Sequence, residues 1–181
     1  MAMFRHVQIN KSNAFKNENL KKLYESSFPP EERTPYEDII KLLDVMDLDF
    51  SVFYDGEKLV GMWIVNRLPK YNWGMFTAVP EEMRGKGIGQ KLLTLQLEIY
   101  LKENKPFVGD VESPFQPNAP NLEIRKRRYN FYMRNGFKDT GVTFEYKGNS
   151  YIAVSTSDEP FTLQDYIEMT ASTMEKVTMK Q

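Results

Sequence analysis

The chain reads as an α/β sandwich on a mixed, mostly antiparallel sheet. Three observations carry that reading. Strand-like and helix-like segments alternate through the middle, hairpin signals occupy both flanks, and a glycine-rich turn joins an apolar strand to an amphipathic helix. Alternating elements favour a crossover between parallel strands, whereas hairpins require antiparallel neighbours, so both kinds of pairing are expected in one sheet.

The elements follow in order. Phe4 to Ile9 alternates as a first strand. Asn17 to Phe28 places Leu20, Leu23, Tyr24 and Ser27 on one helical face, and Pro29-Pro30 stops it. A second helix is expected after Pro35, with Thr34 as its cap and Ile39, Ile40, Leu42 and Leu43 as its apolar contacts. Phe50 to Tyr54 and Leu59 to Leu68 form strands on either side of Asp55-Gly56, a hairpin turn signal. Tyr71 to Val79 is the fourth strand, and a helix runs from about Gly87 to Lys102. Pro106 to Glu112 is the next strand, followed by a loop from Ser113 to Asn121 that holds three prolines. A helix from Leu122 to Asn135 ends at Gly136, a left-handed terminator. Phe137 to Tyr146 and Ser150 to Val154 pair as a hairpin through Lys147-Gly148-Asn149. In the tail, Thr162 and Asp165 form a capping box before a stripe of Leu163, Tyr166, Ile167, Thr170, Met174 and Val177.

Composition narrows the chemistry. The 181 residues suit one domain, and a net charge of -1 gives no global attraction to nucleic acid or to a membrane surface. There is no cysteine, so disulfides, thiolate nucleophiles and cysteine metal sites are excluded. The one histidine, His6, falls on a strand near the amino terminus, and no Ser-His-Asp centre or histidine metal cluster is expected. No apolar signal segment and no run of roughly 18 apolar residues is present, so a cytoplasmic location is the default expectation.

The segment Arg84-Gly85-Lys86-Gly87-Ile88-Gly89 is the clearest carrier of chemistry. A glycine loop at a helix start lets backbone N–H groups converge on an anion, where the helix dipole also favours negative charge. Phosphate suits such a cradle. The loop lacks the Gly-Lys-Ser/Thr ending of a nucleoside triphosphate loop, and its glycine spacing differs from that of a dinucleotide fingerprint.

A second segment, Phe131-Tyr132-Met133-Arg134-Asn135-Gly136-Phe137, lies about 45 residues further on. Together with Val79 to Gly89 it resembles the GNAT superfamily of acetyl-coenzyme A-dependent N-acetyltransferases. Arg84, Gly87 and Gly89 match the coenzyme A motif Arg/Gln-x-x-Gly-x-Gly/Ala, and Phe131-Tyr132 with Gly136-Phe137 match the later Phe-Tyr-x-x-x-Gly-Phe signature. The resemblance covers residues 1–156 as one acetyltransferase domain and leaves 157–181 as a helical extension, packed on that domain or on a dimer partner.

The resemblance implies acetyl-CoA as donor and direct transfer to a primary amine of a small molecule or peptide. Backbone amides of Arg84, Gly85, Lys86, Gly87, Ile88 and Gly89 would hold the pyrophosphate, and the strand edge at Phe76, Thr77, Ala78 and Val79 would pair with the pantetheine amides. Tyr132 would give a proton to the departing thiolate. Many members carry an acidic base on the fourth strand, but Tyr71 to Val79 holds none. Asp110 and Glu112 lie two residues apart on one face of the next strand, and Glu112 is the preferred base or amine-binding carboxylate. Arg125, seven residues before the tyrosine where the family often has asparagine, is a candidate phosphate contact. Arg125-Lys126-Arg127-Arg128 fans around a helix and cannot address one ligand as a unit. Phe28 to Arg33 is the expected acceptor wall, with Glu31, Glu32, Glu37 and Asp38 as attractors of a cationic amine. An acyl-CoA-binding module with weak or no catalysis is the alternative, motivated by the missing acid.

Overall fold

The computed structural model describes residues 4–14, 16–30, 33–119 and 121–178, apart from the side chains of 172 and 174–178. Seven strands form one sheet in the order β1-β2-β3-β4-β5-β7-β6. In chain order the elements are β1 (Arg5–Gln8), α1 (Lys11–Ala14), α2 (Glu18–Ser27), α3 (Tyr36–Leu42), β2 (Leu48–Asp55), β3 (Lys58–Arg67), β4 (Asn72–Ala78), α4 (Ile88–Tyr100), β5 (Phe107–Glu112), α5 (Leu122–Met133), β6 (Lys138–Tyr146), β7 (Asn149–Ser155) and α6 (Leu163–Thr178). Every pairing is antiparallel except β4 with β5, whose connection carries α4. The expected mixed sheet is therefore present, with one parallel step at its centre.

Helices cover both faces. α4 buries Leu92, Leu93 and Tyr100 in a cluster with Trp63, Val65, Phe107, Val111 and Val154, and α5 packs Phe131 and Tyr132 against it. On the opposite face, α2 and α3 pack Leu20, Tyr24, Ile39 and Ile40 over Phe50, Val52, Met62 and Ile64. Beside them, α6 and the segment before it set Met169 and Phe161 on Val108, Val142 and Ala153. Gly61 permits the close approach of α4, since a Cβ there would lie 2.3 Å from Leu92 Cδ1. His6 is exposed, with Nε2 2.8 Å from Ser51 Oγ and its ring stacked on Phe53 at 5.0 Å, as befits an edge-strand residue.

Local signals explain the boundaries. The β2-β3 hairpin closes with Gly56 at φ 58°, and the β6-β7 hairpin turns on Lys147 and Gly148 at φ 48° and 81°. The capping box forms, with the Asp165 N–H donating to Thr162 Oγ1 at 3.2 Å and the Thr162 N–H donating to Asp165 Oδ2 at 2.9 Å. Two details differ from expectation. Pro35 rather than Thr34 occupies the cap of α3, at ψ 140° and with no side-chain cap bond, because proline supplies the required φ without a donor to satisfy. Lys11–Ala14 forms a short extra helix, capped by Asn10 Oδ1, which accepts from the N–H groups of Ser12 and Asn13 at 3.0 and 3.1 Å. The stripe positions Met174 and Val177 have side chains outside the described residues.

The centre of the sheet is split. β4 pairs with β5 only through Asn72↔Phe107, Trp73↔Val108 and Gly74↔Gly109, after which β4 stays with β3 and β5 with β7. A bulge between Ile64↔Phe76 and Val65↔Gly74 leaves Met75 as an extra residue, and such an insertion bends and twists its strand. The last shared pair is glycine on both sides, and a Cβ on Gly74 would meet the Phe107 ring at 2.7 Å. Residues 73–77 are consequently half-exposed although they lie on a central strand.

Candidate active site

The glycine loop stands at the end of β4, on the rim of the split. A turn at Glu81–Met83 precedes it, and Gly85 and Gly87 then adopt φ 74° and 76°, a region that side-chain-bearing residues seldom occupy. No heavy atom lies within 4 Å of where a Cβ on either would fall, so the floor of the cradle is open backbone. The first α4 bond runs from the Lys91 N–H to the Gly87 carbonyl at 3.1 Å, and the amides preceding it have no helical acceptor. The Arg84 and Lys86 side chains fold back, with Nε donating to the Val79 carbonyl at 3.2 Å and Nζ to the Glu82 carbonyl at 2.8 Å. Those bonds brace the loop. Gln90 Nε2 donates to Asn135 Oδ1, which ties the first turn of α4 to the end of α5. A shallow depression of about 490 Å³, lined by Thr94, Leu97, Glu98, Leu101, Lys102 and Asn135, continues outward from this contact and away from the split.

α5 ends as the sequence requires. Gly136 at φ 87° lets the Phe137 N–H return to the Tyr132 carbonyl at 3.2 Å, which locks the backbone that carries Tyr132. The Tyr132 ring sits edge-on to Phe131 and Phe137 at 5.5 and 5.2 Å. Its hydroxyl has no hydrogen-bond partner among the described residues. Burial raises the phenol above its ordinary value, offset in part by the positive charge of Arg128, and the group therefore keeps its proton at neutral pH.

Glu112 and Arg125 occupy positions other than those expected of them. Both oxygens of Glu112 accept from α5 or its start: Arg128 Nη1 lies 2.5 Å from Oε2, while Arg125 Nη2 and Asn121 Nδ2 lie 3.1 Å from Oε1. A base must present an uncommitted lone pair to the amine, and this carboxylate is committed to two guanidinium groups. Arg125, 1% exposed, also donates to Asn121 Oδ1 at 2.6 Å, Gln116 Oε1 at 2.5 Å and Asn149 Oδ1 at 2.7 Å. That set of partners corrects the expectation of a phosphate contact, because the guanidinium is buried and fully bonded where it pins the proline loop to the β6-β7 hairpin. Arg125→Ala should cost about 3 kcal/mol of stability in a denaturant titration, through the unpaired carboxylate left behind, and leave CoA affinity by calorimetry unchanged.

The other acid of the strand, Asp110, has no ion-pair partner among the described residues. It is the first β5 residue beyond the last pair with β4, so it lies at the fork of the split. Trp73 Nε1 donates to Oδ2 at 3.1 Å and the Tyr166 hydroxyl donates to the same oxygen at 3.4 Å, while Oδ1 is buried and unpartnered. Burial raises this carboxyl from 3.8 to about 7, and the two neutral donors pull it back only in part. Strand alternation puts Asp110 with Val108 on the α6 face, opposite Phe107, Val111 and the α5 layer to which Tyr132 belongs. Asp110 therefore stands at the fork on one face, and Tyr132 belongs to the helical layer on the other. The pair Asp110 and Glu112 is visible in the sequence, but their separation into one free and one neutralised acid depends on partners from other elements.

The opposite lip is aromatic. Phe28 and Tyr24 meet Phe76 edge-on at 4.9 and 5.2 Å, so the end of α2 abuts the bulged part of β4. Glu31 and Glu32 lie outside the described residues. Glu37 and Asp38 are paired with Lys21 and Lys41 at 2.5 and 2.7 Å, and lysine partners neutralise them as attractors of an amine.

Comparison with known proteins agrees with this fold. No match was found among curated protein sequences. Solved structures share the fold: a Bacteroides thetaiotaomicron protein assigned to the GNAT family has a TM-score of 0.69 at 22% identity, over 91% of this chain and 93% of that one. An Arabidopsis thaliana protein in complex with the bisubstrate analogue CoA-Ac-MVNAL has a TM-score of 0.63 at 22% identity, over 85% and 98%. An aminoglycoside 6'-N-acetyltransferase complexed with coenzyme A has a TM-score of 0.64 at 13% identity, over 87% and 99%. The family model described as an acetyltransferase (GNAT) domain matches residues 47–139, more than half of the chain, and takes in the split, the glycine loop, Asp110 and Tyr132. The chain belongs to the GNAT family of acyltransferases.

Proposed function

We propose that the protein is an N-acetyltransferase that moves acetyl from acetyl-CoA to a primary amine by direct transfer in a ternary complex. The observation that supports this reading is the forked sheet, with a glycine loop of open backbone at its rim, a buried carboxyl at its fork and a tyrosine in the helical layer on the other face. The open floor at Gly85 and Gly87 and the amides of 85–89, which precede the first α4 bond, suit a diphosphate, and the edge of β4 at 76–78 with Val79 beyond it suits the amides of a pantetheine arm. Acetyl-CoA supplies a thioester carbonyl and a thiol leaving group.

Asp110 receives the proton that the amine must lose, and its elevated carboxyl can bind the ammonium and then take that proton near neutral pH. A backbone N–H on the open edge of β4 stabilises the oxyanion of the transition state. The C–N bond forms as the C–S bond breaks, Tyr132 gives its proton to the sulfur to release the thiol, and the second proton shed by the nitrogen returns through solvent to the phenolate. Glu112, held by Arg125 and Arg128, shapes the end of β5 instead of acting as the base.

A thiol-release assay with acetyl-CoA across small-molecule and peptide amines tests the reading, alongside calorimetry with CoA. Amine-dependent thiol release supports it. CoA binding with no release for any amine would instead support a binding module.

A further inference from the structure

We infer that Tyr166 on α6 is a positioning residue for the reaction: with Trp73 it clamps Oδ2 of Asp110, leaves Oδ1 as the atom that meets the acceptor amine, and thereby makes the carboxy-terminal helix part of the active site. The inference rests on the reading of Asp110 as proton acceptor, and it concerns a helix outside the matched residues 47–139.

Two donors from different elements converge on one carboxylate oxygen, at 3.1 and 3.4 Å, while the other oxygen is buried without a partner. Buried polar atoms are nearly always bonded, so an oxygen with no protein partner at the fork of the split suits a donor that arrives with substrate. Tyr166 is held firmly enough to serve. Its ring stacks on Phe144 at 4.4 Å, and Phe144 stacks in turn on Tyr151 at 5.4 Å. The start of α6 is fastened to the sheet by the Tyr71 hydroxyl, which donates to Asp165 Oδ1 at 2.9 Å, and by buried Phe161 and Met169. A helix that served packing alone would need the apolar anchors but not a hydroxyl aimed at a buried acid.

The groups that face Asp110 are Trp73 from β4 and Tyr166 from α6, with Tyr151 of β7 behind Tyr166. None of them is charged at neutral pH. Loss of either donor must therefore weaken the carboxylate form and move its titration to higher pH.

Tyr166→Phe keeps the ring stack and removes only the donor. The titration of Asp110 is followed directly by carbon-detected NMR of aspartate-labelled protein, with Asp110→Asn to assign the signal, and in parallel by the pH dependence of kcat/KM for thiol release. The expected result is an alkaline shift of both midpoints in Tyr166→Phe, with kcat/KM about 10-fold lower on the acid side for a one-unit shift and recovered at high pH. An unmoved carboxyl titration would overturn the positioning role, whatever the activity. A moved carboxyl titration beside an unmoved rate profile would overturn Asp110 as the proton acceptor, and the catalytic meaning of the clamp with it. If no amine supports turnover, the enzyme reading falls while the NMR titration still decides the clamp.

Discussion

Asp110→Asn is expected to stabilise the protein at pH 8 and to remove most of its acyl-transfer activity. The two effects have one cause. In the unfolded chain this carboxyl ionises near 3.8, whereas in the folded protein burial holds it at about 7. Between those values the folded state carries a proton that the unfolded state has lost, so stability falls as pH rises, by about 1.4 kcal/mol per pH unit, until the folded group also ionises. The contribution of the neutral acid is full below 3.8 and gone above about 7. Asparagine is neutral throughout and escapes the loss. At pH 8 the gain should reach a few kcal/mol at most, visible as a rise in Tm of about 2–4 °C per kcal/mol, whereas at pH 4 the variant and the parent should melt together. Turnover with an amine should fall about 100-fold or more, since asparagine cannot accept the proton. Equal shifts in Tm at both pH values would show that ionisation of Asp110 is not the cause.

Tyr132→Phe should do the reverse, with little change in stability and a large loss of rate. The hydroxyl has no partner among the described residues, so its removal breaks no hydrogen bond, and the phenylalanine ring keeps both edge contacts with Phe131 and Phe137. What disappears is the proton for the departing sulfur. A loss of general acid catalysis of this kind lowers kcat by about 10²–10⁴-fold. On the proposed reading, CoA affinity measured by calorimetry should be preserved, because the glycine loop offers backbone and the Tyr132 hydroxyl takes no part in it. Unchanged kcat in steady-state thiol release would remove Tyr132 from the acid role and leave it as a packing residue of α5.

The parts of the site that are legible in the sequence are those whose chemistry is local. Glycines at 85 and 87 declare a positive φ, because no other residue adopts it so cheaply, and they precede a helix whose apolar period is visible by itself. Gly136 likewise announces the end of α5 and hence the place of Tyr132. Asp110 and Glu112 mark the limit of such reading. Two acids on one strand face are equivalent in sequence, and Glu112 is set apart only by its place next to the proline loop. In the fold Arg125 and Arg128 descend from α5 and neutralise Glu112, while β4 parts from β5 immediately before Asp110.

The sequence by itself determined the mixed α/β architecture, the glycine loop before α4 and the glycine stop that ends α5, since periodicity, turn stereochemistry and helix capping act over a few residues. Only the tertiary structure decided which acid is free, that Arg125 is a buried strut, and that α6 returns to place Tyr166 on Asp110 across 56 positions of chain. Burial and partnership set the protonation and availability of a side chain, and both are properties of neighbours that the folded chain brings from distant positions.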